Sequence, residues 1–304
     1  MEGERVEFGL LVTQFSGQWN HSLGDARMAD HIGLDSIWMA DHLLPMDVEG
    51  NVFEGWTAMA ALAGSTESVR LGHLVLAASF RNPGLMAKMA ATLDHASEGR
   101  FDLGLGAGWF EAEYKAFGYR FPSPGERRRY FEEYLDAVRL LFSGGPVDYD
   151  GEFIKLDSAY CRPVPLQRPS PPIVVGAGRP MMLDLVGRKA DVWNCPSGLI
   201  PRLEEARERV LNAAAGRPIR TTLQIPVAVG RSTEEAAAAL EIGRVHMAWM
   251  GDIDEVGITG TIEQAAEQVA AYAERGVDGI IGVVPGSRRR PEFIEAYGAV
   301  AARF

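Results

Sequence analysis

The chain alternates short apolar runs with amphipathic segments along its whole length. The apolar runs are bounded by glycine, proline or polar residues, which is typical of buried strands. In the segment 126–143 the apolar residues recur at helical spacing instead, so that they share one face. The pattern predicts eight strands, at 6–12, 36–40, 70–76, 101–106, 172–175, 190–193, 221–229 and 279–284.

Each predicted strand is followed by a predicted helix. The helices are placed at 21–33, 54–65, 84–96, 126–143, 180–187, 203–214, 234–250, 261–275 and 291–302, with Thr261 as an N-cap and Gly33 and Gly276 as C-terminal caps. This alternation leaves two candidates, the open doubly wound sheet and the closed (β/α)8 barrel. Eight units in 304 residues favour a TIM barrel, an α/β fold in which residues 1–304 form one domain.

One segment departs from the alternation. Residues 144–170, after the fourth β/α unit, are rich in glycine and proline and include the alternating run 152–156. Alternation of apolar and polar residues over a few positions is typical of a half-buried strand. We therefore interpret this segment as an insertion that carries a small hairpin.

Composition narrows the class of protein. The chain is 47% hydrophobic and 23% charged, with a net charge of −11, which argues against nucleic acid or an anionic membrane as a partner. Cys161 and Cys195 form no CxxC pair, and the N-terminus shows no secretion signal or long apolar run. We expect a cytoplasmic protein. The six histidines are scattered without ligand spacing, so we expect no metal site.

The ends of the predicted strands are where a barrel carries its chemistry. Asp41 and His42 follow the second strand. A histidine there is suited to proton transfer near neutral pH, and the aspartate can orient it or bind a cofactor. The alternative is a pair that only caps the following loop.

Two glycine turns follow other strands. Ala107 and Gly108 end the strand 101–106, and Gly176, Ala177 and Gly178 end the strand 172–175 before a helix that begins near Arg179. A turn of this kind offers backbone N–H groups to a phosphate, although the GxG pattern alone is a weak signal.

Three further features have both a functional and a structural interpretation. Trp109 and Trp193 are candidates for stacking on an aromatic cofactor, although large aromatic residues more often belong to a core. His73 is interpreted as a packed strand histidine. The segment 81–83 either anchors an anion or caps the helix that follows it.

The assembled motifs resemble the luciferase-like monooxygenase family, and within it the oxidoreductases that use the deazaflavin coenzyme F420. The matching stretches are LDSIWMADH (34–42), RLGHLVLAASFRNP (70–83) continuing through FDLGLGAGWFEAEY (101–114), PPIVVGAGRPMMLDLVGRKADVWN (171–194) and AAYAERGVDGIIGVV (270–284). The resemblance implies a (β/α)8 barrel, usually a homodimer, which acts on a small molecule.

The resemblance also implies roles for particular residues. Asp41 touches the cofactor, and His42 lies near its reactive C5 and is the proton-transfer group. A non-prolyl cis peptide falls at Leu74–Val75 and presses against the back of the ring. The Ala107–Gly108 turn approaches the ring system. The phosphate binds at Gly176–Ala177–Gly178, next to Arg179.

The chain departs from the family at one position. Where the sugar-phosphate dehydrogenases of this family carry an acidic glutamate, this chain has Trp109, and the nearest carboxylate in sequence is Glu111. We therefore take His42, Trp109 and Glu111 as the candidate catalytic residues and leave the substrate unassigned. The leading hypothesis is F420-dependent hydride transfer. The alternatives are an FMN-dependent monooxygenase, a non-catalytic flavin-binding protein and, least supported, a metal-dependent hydrolase.

Overall fold

The computed structural model describes residues 5–15, 18–45, 50–286 and 290–304. The strands are β1 (Glu7–Leu11), β2 (Ser36–Met39), β3 (Arg70–His73), β4 (Leu76–Ala77), β5 (Phe101–Gly106), β6 (Val147–Asp150), β7 (Lys155–Ala159), β8 (Ile173–Gly176), β9 (Val192–Pro196), β10 (Arg220–Gly230), β11 (Ile258–Thr261) and β12 (Gly279–Val283). The helices are α1 (Trp19–His31), α2 (Gly55–Ala63), α3 (Pro83–Ala96), α4 (Glu111–Ala116), α5 (Pro124–Leu141), α6 (Pro180–Lys189), α7 (Leu203–Ala214), α8 (Thr233–His246), α9 (Ile253–Val256), α10 (Ile262–Glu274) and α11 (Pro291–Ala301).

Eight parallel strands close into a ring, in the order β1, β2, β3, β5, β8, β9, β10, β12 and back to β1. The closing pair aligns Phe8 with Ile280 and Leu10 with Gly282. Because every strand of this ring has a parallel neighbour on both sides, the sheet is a closed barrel rather than an open doubly wound sheet. The predicted (β/α)8 TIM barrel is confirmed.

The third predicted strand, 70–76, is interrupted. β3 ends at His73, and β4 takes up the pairing with β5 two residues later. Leu71 faces Phe101, whereas Leu76 faces Leu105, so this side holds one residue more than the facing part of β5. The peptide bond Leu74–Val75 within the bulge is cis, as the resemblance implied.

The predicted helix 234–250 is shorter in the structure. α8 ends at His246 and is followed by a 3₁₀ turn and the four-residue helix α9. Gly251 has a φ of +112°, a conformation that stops a helix. The chain then forms β11, which pairs with the outer half of β10 and was not predicted. The predicted N-cap of α10 is confirmed, because Thr261 and Gln264 form a reciprocal capping box.

The interior of the barrel is filled around one tryptophan. Trp38 packs with Leu74, Val174, Val192 and Ile281 in a cluster distinct from the larger core between the strands and the helices. Glycines on both neighbouring strands make room for its ring: a Cβ on the β3 glycine at position 72 would lie 2.3 Å from Trp38 Cζ3. Buried residues therefore lie both inside and outside the ring of strands.

The segment between α5 and β8 contains an antiparallel pair. β6 and β7 form a two-stranded sheet of their own, with Tyr149 opposite Leu156 and Asp150 opposite Lys155. Among the helices described, none is long and apolar enough to cross a membrane. The described residues also include no group of three or more histidine, cysteine or acidic side chains placed to hold a metal ion.

Candidate active site

A cleft opens where the barrel strands end, and its cavity volume is about 370 Å³. Volumes of this order are typical of sites for small molecules and cofactors, and a TIM barrel carries its active site at this rim. The cleft is lined by Asp41, His42, Leu74, Val75, Ala77, Gly108, Trp109, Phe110, Glu113, Tyr114, Gly176, Ala177, Gly178, Asn194, Pro196 and Gln224.

His42 is held in place by a buried carboxylate. Its Nδ1 lies 3.3 Å from Glu113 Oε2, and the same oxygen accepts the backbone N–H groups of Leu43 at 2.5 Å and Leu44 at 3.0 Å. The side chain of His42 is 12% exposed and that of Glu113 only 2%. Because an ionised carboxylate only accepts hydrogen bonds, Nδ1 carries the proton and Nε2 is the basic nitrogen of the ring.

The electrostatics favour this arrangement. Burial by itself raises the pKa of Glu113, but the hydrogen bonds from His42 and from two backbone amides outweigh it and hold the pKa below its ordinary value. Glu113 is therefore ionised near neutral pH. A fixed negative charge therefore lies beside the imidazole ring of His42.

Glu111 was expected to be the carboxylate of the site, but the structure places Glu113 in the cleft instead. Glu111 lies on the outer face of α4, where its carboxylate is 54% exposed and pairs with Lys115 at 2.8 Å. It does not line the cleft. Two residues further along a helix the side chain direction turns by roughly 200°, which brings Glu113 to the inner face. The helical period of α4 was the signal that separates the two glutamates.

The carboxylate of Asp41 is fully buried and has its partners within the protein. It accepts the amide of Ala77 at 2.9 Å and both terminal nitrogens of Arg81, at 2.7 and 2.9 Å. Arg81 also binds Glu54, the N-cap of α2. Burial lowers the pKa of Arg81, but the two carboxylates more than reverse this, so that the pKa lies above its ordinary value. The network ties the ends of β2 and β4 to α2.

The segment 81–83 has the structural role of the two that were considered. Asn82 caps α3 by accepting the amide of Gly84 at 2.8 Å, and Pro83 is the first residue of that helix. Because Arg81 is engaged by two carboxylates, it is not an anion site.

The Leu74–Val75 bulge lines the cleft and is brought there by the glycines of β5. A Cβ on Gly104 would lie 1.7 Å from the carbonyl oxygen of His73, and one on Gly106 would lie 2.5 Å from a methyl carbon of Val75. The strand FDLGLG therefore carries glycines where the bulge packs against it.

The glycine in the turn after β5 has a different role from the expected one, which was to let the backbone approach the ring system of a cofactor. Gly108 has a φ of +78°, and a Cβ there would lie 1.8 Å from the hydroxyl oxygen of Tyr114. That hydroxyl lies 2.5 Å from Ser79 Oγ. Gly108 thus makes room for Tyr114 to close the wall of the cleft. Ala107, one residue earlier, is not among the lining residues.

The second glycine turn is only partly available to a phosphate. Gly176, Ala177 and Gly178 all line the cleft, but the amide of Ala177 donates to the carbonyl of Asn194 at 3.3 Å. Gly178 and the start of α6 lie beyond that bond. In this helix Pro180 has no N–H group and the amide of Met182 donates to the carbonyl of Arg179 at 2.9 Å. Arg179 is exposed and does not line the cleft.

The two tryptophans that were considered for stacking on a cofactor lie in different environments. Trp193 is fully buried and donates to the carbonyl of Ala177 at 2.9 Å, so it belongs to the core. Trp109 is 64% exposed at the cleft and stacks on Phe110, with ring centroids 5.4 Å apart. Both rings approach His42 edge-on, at 5.7 and 6.0 Å.

Seven lining residues were not singled out from the sequence as site residues, namely Ala77, Phe110, Glu113, Tyr114, Asn194, Pro196 and Gln224. Phe110, Glu113 and Tyr114 all follow Trp109 within one short segment, where helical periodicity was the available signal. Gln224 lies inside the long strand β10 and not at its end, so counting from the strand end missed it. The side chain of Asn194 donates to the hydroxyl oxygen of Thr222 at 3.0 Å.

His73 is the packed histidine that the sequence indicated. It is fully buried, its ring stacks on Trp56 at 5.5 Å and Nε2 lies 3.2 Å from the carbonyl of Gly55. Burial lowers its pKa from 6.5 to about 4, so that the ring is neutral near pH 7. It does not line the cleft.

The structure shows a (β/α)8 barrel with a cleft at its rim, and sequence comparison identifies the family. The chain belongs to the luciferase-like monooxygenase family, whose family model matches residues 7–252. An uncharacterized protein of Mycobacterium tuberculosis is 31% identical over 274 residues, which cover 82% of this chain and 90% of that protein.

Two further relatives carry functional names. An F420-dependent glucose-6-phosphate dehydrogenase of Amycolatopsis mediterranei is 32% identical over 222 residues, 68% of this chain and 65% of that protein. An FMNH(2)-dependent dimethylsulfone monooxygenase of Pseudomonas putida is 29% identical over 194 residues, 62% of this chain and 52% of that protein. The chain is therefore similar to users of both cofactors.

The barrel itself matches solved structures along nearly its whole length. An F420-dependent secondary alcohol dehydrogenase in complex with an F420-acetone adduct superimposes with a TM-score of 0.81, covering 97% of this chain and 99% of that chain. The sequence identity is 20%, so this likeness shows the shared fold.

Proposed function

We propose that this protein is an F420-dependent oxidoreductase that transfers a hydride between the coenzyme and a small organic substrate in the rim cleft. The observation that carries the proposal is His42, which lines the cleft and is held by the buried carboxylate of Glu113. The similarity to F420-dependent dehydrogenases at 28–34% identity supports F420 as the cofactor.

The cleft fits a flat cofactor that carries a phosphate. The Leu74–Val75 bulge forms an apolar wall for a ring system, because Gly104 and Gly106 let it settle onto β5. The amides of Gly178 and Met181, together with the positive end of the α6 dipole, would bind the phosphate. Both carboxylate oxygens of Asp41 accept hydrogen bonds from Arg81. Asp41 would therefore contact the cofactor only from the edge of this hydrogen-bond network.

The protein's own chemical contribution is a proton at His42. Coenzyme F420, when bound, supplies a hydride donor and acceptor at C5 of its deazaflavin ring. In the oxidation direction His42 Nε2 accepts the substrate proton, and in the reduction direction it returns it. Glu113 keeps Nδ1 protonated throughout and so maintains the orientation and tautomer of the ring.

A fluorescence titration of the purified protein with F420 and with FMN tests the proposal. We expect saturable binding of F420. Gly178→Glu places a negative charge beside the phosphate and should weaken binding about tenfold. Gly125→Glu, at the start of α5 and with open space around its Cβ, is the matched control and should bind as the parent protein does.

Two results would count against the proposal. Saturable binding of FMN without binding of F420 would overturn the cofactor assignment. The second candidate, an FMN-dependent monooxygenase, would then apply, and the similarity to the dimethylsulfone monooxygenase is the observation that favours it. Binding of neither cofactor would overturn the proposed function as a whole.

The same proposal extends to assembly and size. We expect residues 1–304 to form one domain in the cytoplasm, as the strand pattern and the two isolated cysteines indicated. We expect the protein to assemble as a homodimer, as the family resemblance implied. Light scattering on a size-exclusion column would give about twice the chain mass of 33.1 kDa. A monomer at micromolar concentration would contradict the homodimer.

A further inference from the structure

An exposed aromatic surface borders the candidate proton-transfer group. Trp109 and Phe110 are stacked on each other and line the cleft, and both meet the edge of His42. Phe15 approaches His42 as well, with ring centroids 5.9 Å apart. We call Phe15, Trp109 and Phe110 the aromatic wall.

The exposure of this wall has a consequence for binding. The Trp109 ring is 64% exposed although it lines a concave site. A large aromatic surface left in water is unfavourable and is recovered when an apolar or aromatic ligand covers it. A tryptophan at the edge of a cleft therefore favours ligands that present an apolar face.

The charges of the cleft also favour a ligand that carries no negative charge. Among the described residues that line it, the ionisable side chains are Asp41, His42, Glu113 and Tyr114, and none is a lysine or arginine. Arg81 neutralises Asp41, whereas the partners of Glu113 are His42 and two backbone amides. A second anion next to Glu113 would be repelled at short range in a partly desolvated site.

We propose that the substrate is an uncharged molecule whose aromatic or other apolar portion packs on Trp109 and Phe110 while its hydroxyl or carbonyl group reaches His42. A phosphorylated sugar does not fit this description, because the described lining offers no cation for its phosphate. The inference rests on the proposed function, since it takes His42 as the proton-transfer group. It names a substrate class different from that in the names of the dehydrogenase relatives.

Ligand-observed NMR on the cofactor-saturated protein tests the substrate class. Acetophenone and benzoate form a matched pair that share a phenyl ring and differ in charge, and glucose 6-phosphate represents the phosphorylated sugars. We expect acetophenone to bind at least about tenfold more tightly than benzoate, because benzoate brings a second anion to Glu113. We expect glucose 6-phosphate not to compete with it.

Variants locate the binding surface. The double substitution Trp109→Ala and Phe110→Ala removes the two residues of the aromatic wall that line the cleft, and it should weaken acetophenone binding about tenfold. The single substitution Trp109→Phe should retain most of the binding. Trp249→Ala is the matched control, since Trp249 is 66% exposed but does not line the cleft. Equal weakening by Trp249→Ala would mean that the probe binds exposed tryptophans in general, which would overturn the proposal.

The remaining outcomes separate the two proposals. If F420 or FMN binds while glucose 6-phosphate displaces acetophenone, or binds more tightly than it, the substrate class is wrong and the cofactor-dependent function stands. If neither cofactor binds but acetophenone does so through the wall, the proposed function fails and the aromatic site stands. Binding of acetophenone that is unaffected by loss of the wall would overturn the substrate inference directly.

Discussion

His42 and His73 lie at the ends of neighbouring strands of the same barrel, but their side chains have contrasting surroundings. His42 comes three residues after the end of β2, lines the cleft and has a carboxylate as its partner. His73 is the last residue of β3, is fully buried and has a backbone carbonyl and a stacked indole as its partners. Burial therefore keeps the second histidine neutral near pH 7, whereas the first has an ionised carboxylate beside its ring.

The comparison shows that the neighbours of a histidine, and not its residue type or strand position alone, decide its role. The neighbour of His42 is a buried carboxylate, whereas burial between Trp56 and Phe101 disfavours the charged form of His73. Each environment can be altered separately, and four experiments do so, beginning with the change that we expect to be largest.

Loss of the imidazole should affect turnover at one histidine and not at the other. We expect His42→Ala to lower the rate of F420 reduction by about 10²- to 10⁴-fold, the usual contribution of a positioned acid–base group. His73→Gln, which keeps a donor for the Gly55 carbonyl, should leave the rate constant close to that of the parent protein. Stopped-flow absorbance with the best substrate of an uncharged aromatic panel measures both.

Unchanged rates in His42→Ala across that panel would favour the non-catalytic flavin-binding alternative. Cofactor affinity measured on the same variant would then separate a loss of chemistry from a loss of binding.

The pH dependence of stability should come from the buried histidine. The pKa of His73 falls from 6.5 to about 4 on folding. Between these values the unfolded chain binds the additional proton, so the free energy of unfolding decreases as the pH is lowered through this window. At about 1.4 kcal/mol per pH unit the loss is about 3 kcal/mol.

Urea denaturation between pH 4 and pH 7 measures this effect, and His73→Gln should flatten the profile over that window. An equally steep profile in the variant would show that other groups cause the acid destabilisation.

The two glutamates of α4 offer a matched pair. Glu113→Gln removes the charge that orients His42. Its amide oxygen can still accept the three hydrogen bonds made to Glu113 Oε2, but without the strength that the charge adds, so we expect a drop in turnover of about 10- to 100-fold and a stability loss of about 1–3 kcal/mol. Glu111→Gln alters only an exposed pair with Lys115 and should change neither quantity appreciably.

Stability of the Glu113 variant should also respond less to acid. Because folding lowers the pKa of Glu113, its contribution is present above the ordinary glutamate pKa and is lost as the pH falls through the folded value. Equal effects of the two substitutions on turnover would contradict the role assigned to Glu113.

The smallest effect is expected in the wall of the cleft. Gly108→Ala forces a Cβ against the Tyr114 hydroxyl at a positive φ, and we expect it to cost about 1–2 kcal/mol of stability. Adding Tyr114→Phe removes the colliding oxygen and should restore part of that loss. Thermal unfolding of the single and double variants measures it.

Gly104→Ala, next to His73, is the substitution to compare with Gly108→Ala. Its Cβ would meet the backbone carbonyl of His73 at 1.7 Å, and no single side-chain change relieves that collision. Recovery of Gly104→Ala stability by Tyr114→Phe would show that the relief is not local to Gly108.

Much of the fold could be predicted from the chain because each prediction depended on residues close together in sequence. The eight barrel strands, the Thr261 cap and the packed His73 follow from local patterns of apolar residues and caps. The break in the third strand was expected from the resemblance, and not from periodicity, since both residues at the break, Leu74 and Val75, are apolar. β11 was missed because its partner is the outer half of β10, a pairing that lies far away in sequence.

By itself, the sequence determined the parallel barrel, its family and the presence of His42 at the rim. Only the tertiary structure decided that Glu113, and not Glu111, is the partner of His42, because the contact joins residues 71 positions apart and depends on the rotation of α4. It also decided that Asp41 is bound by Arg81 and that Trp193 is buried while Trp109 is exposed. Strand and helix periodicity is a local property of the chain, whereas burial and charge pairing arise only when distant strand ends meet at one rim.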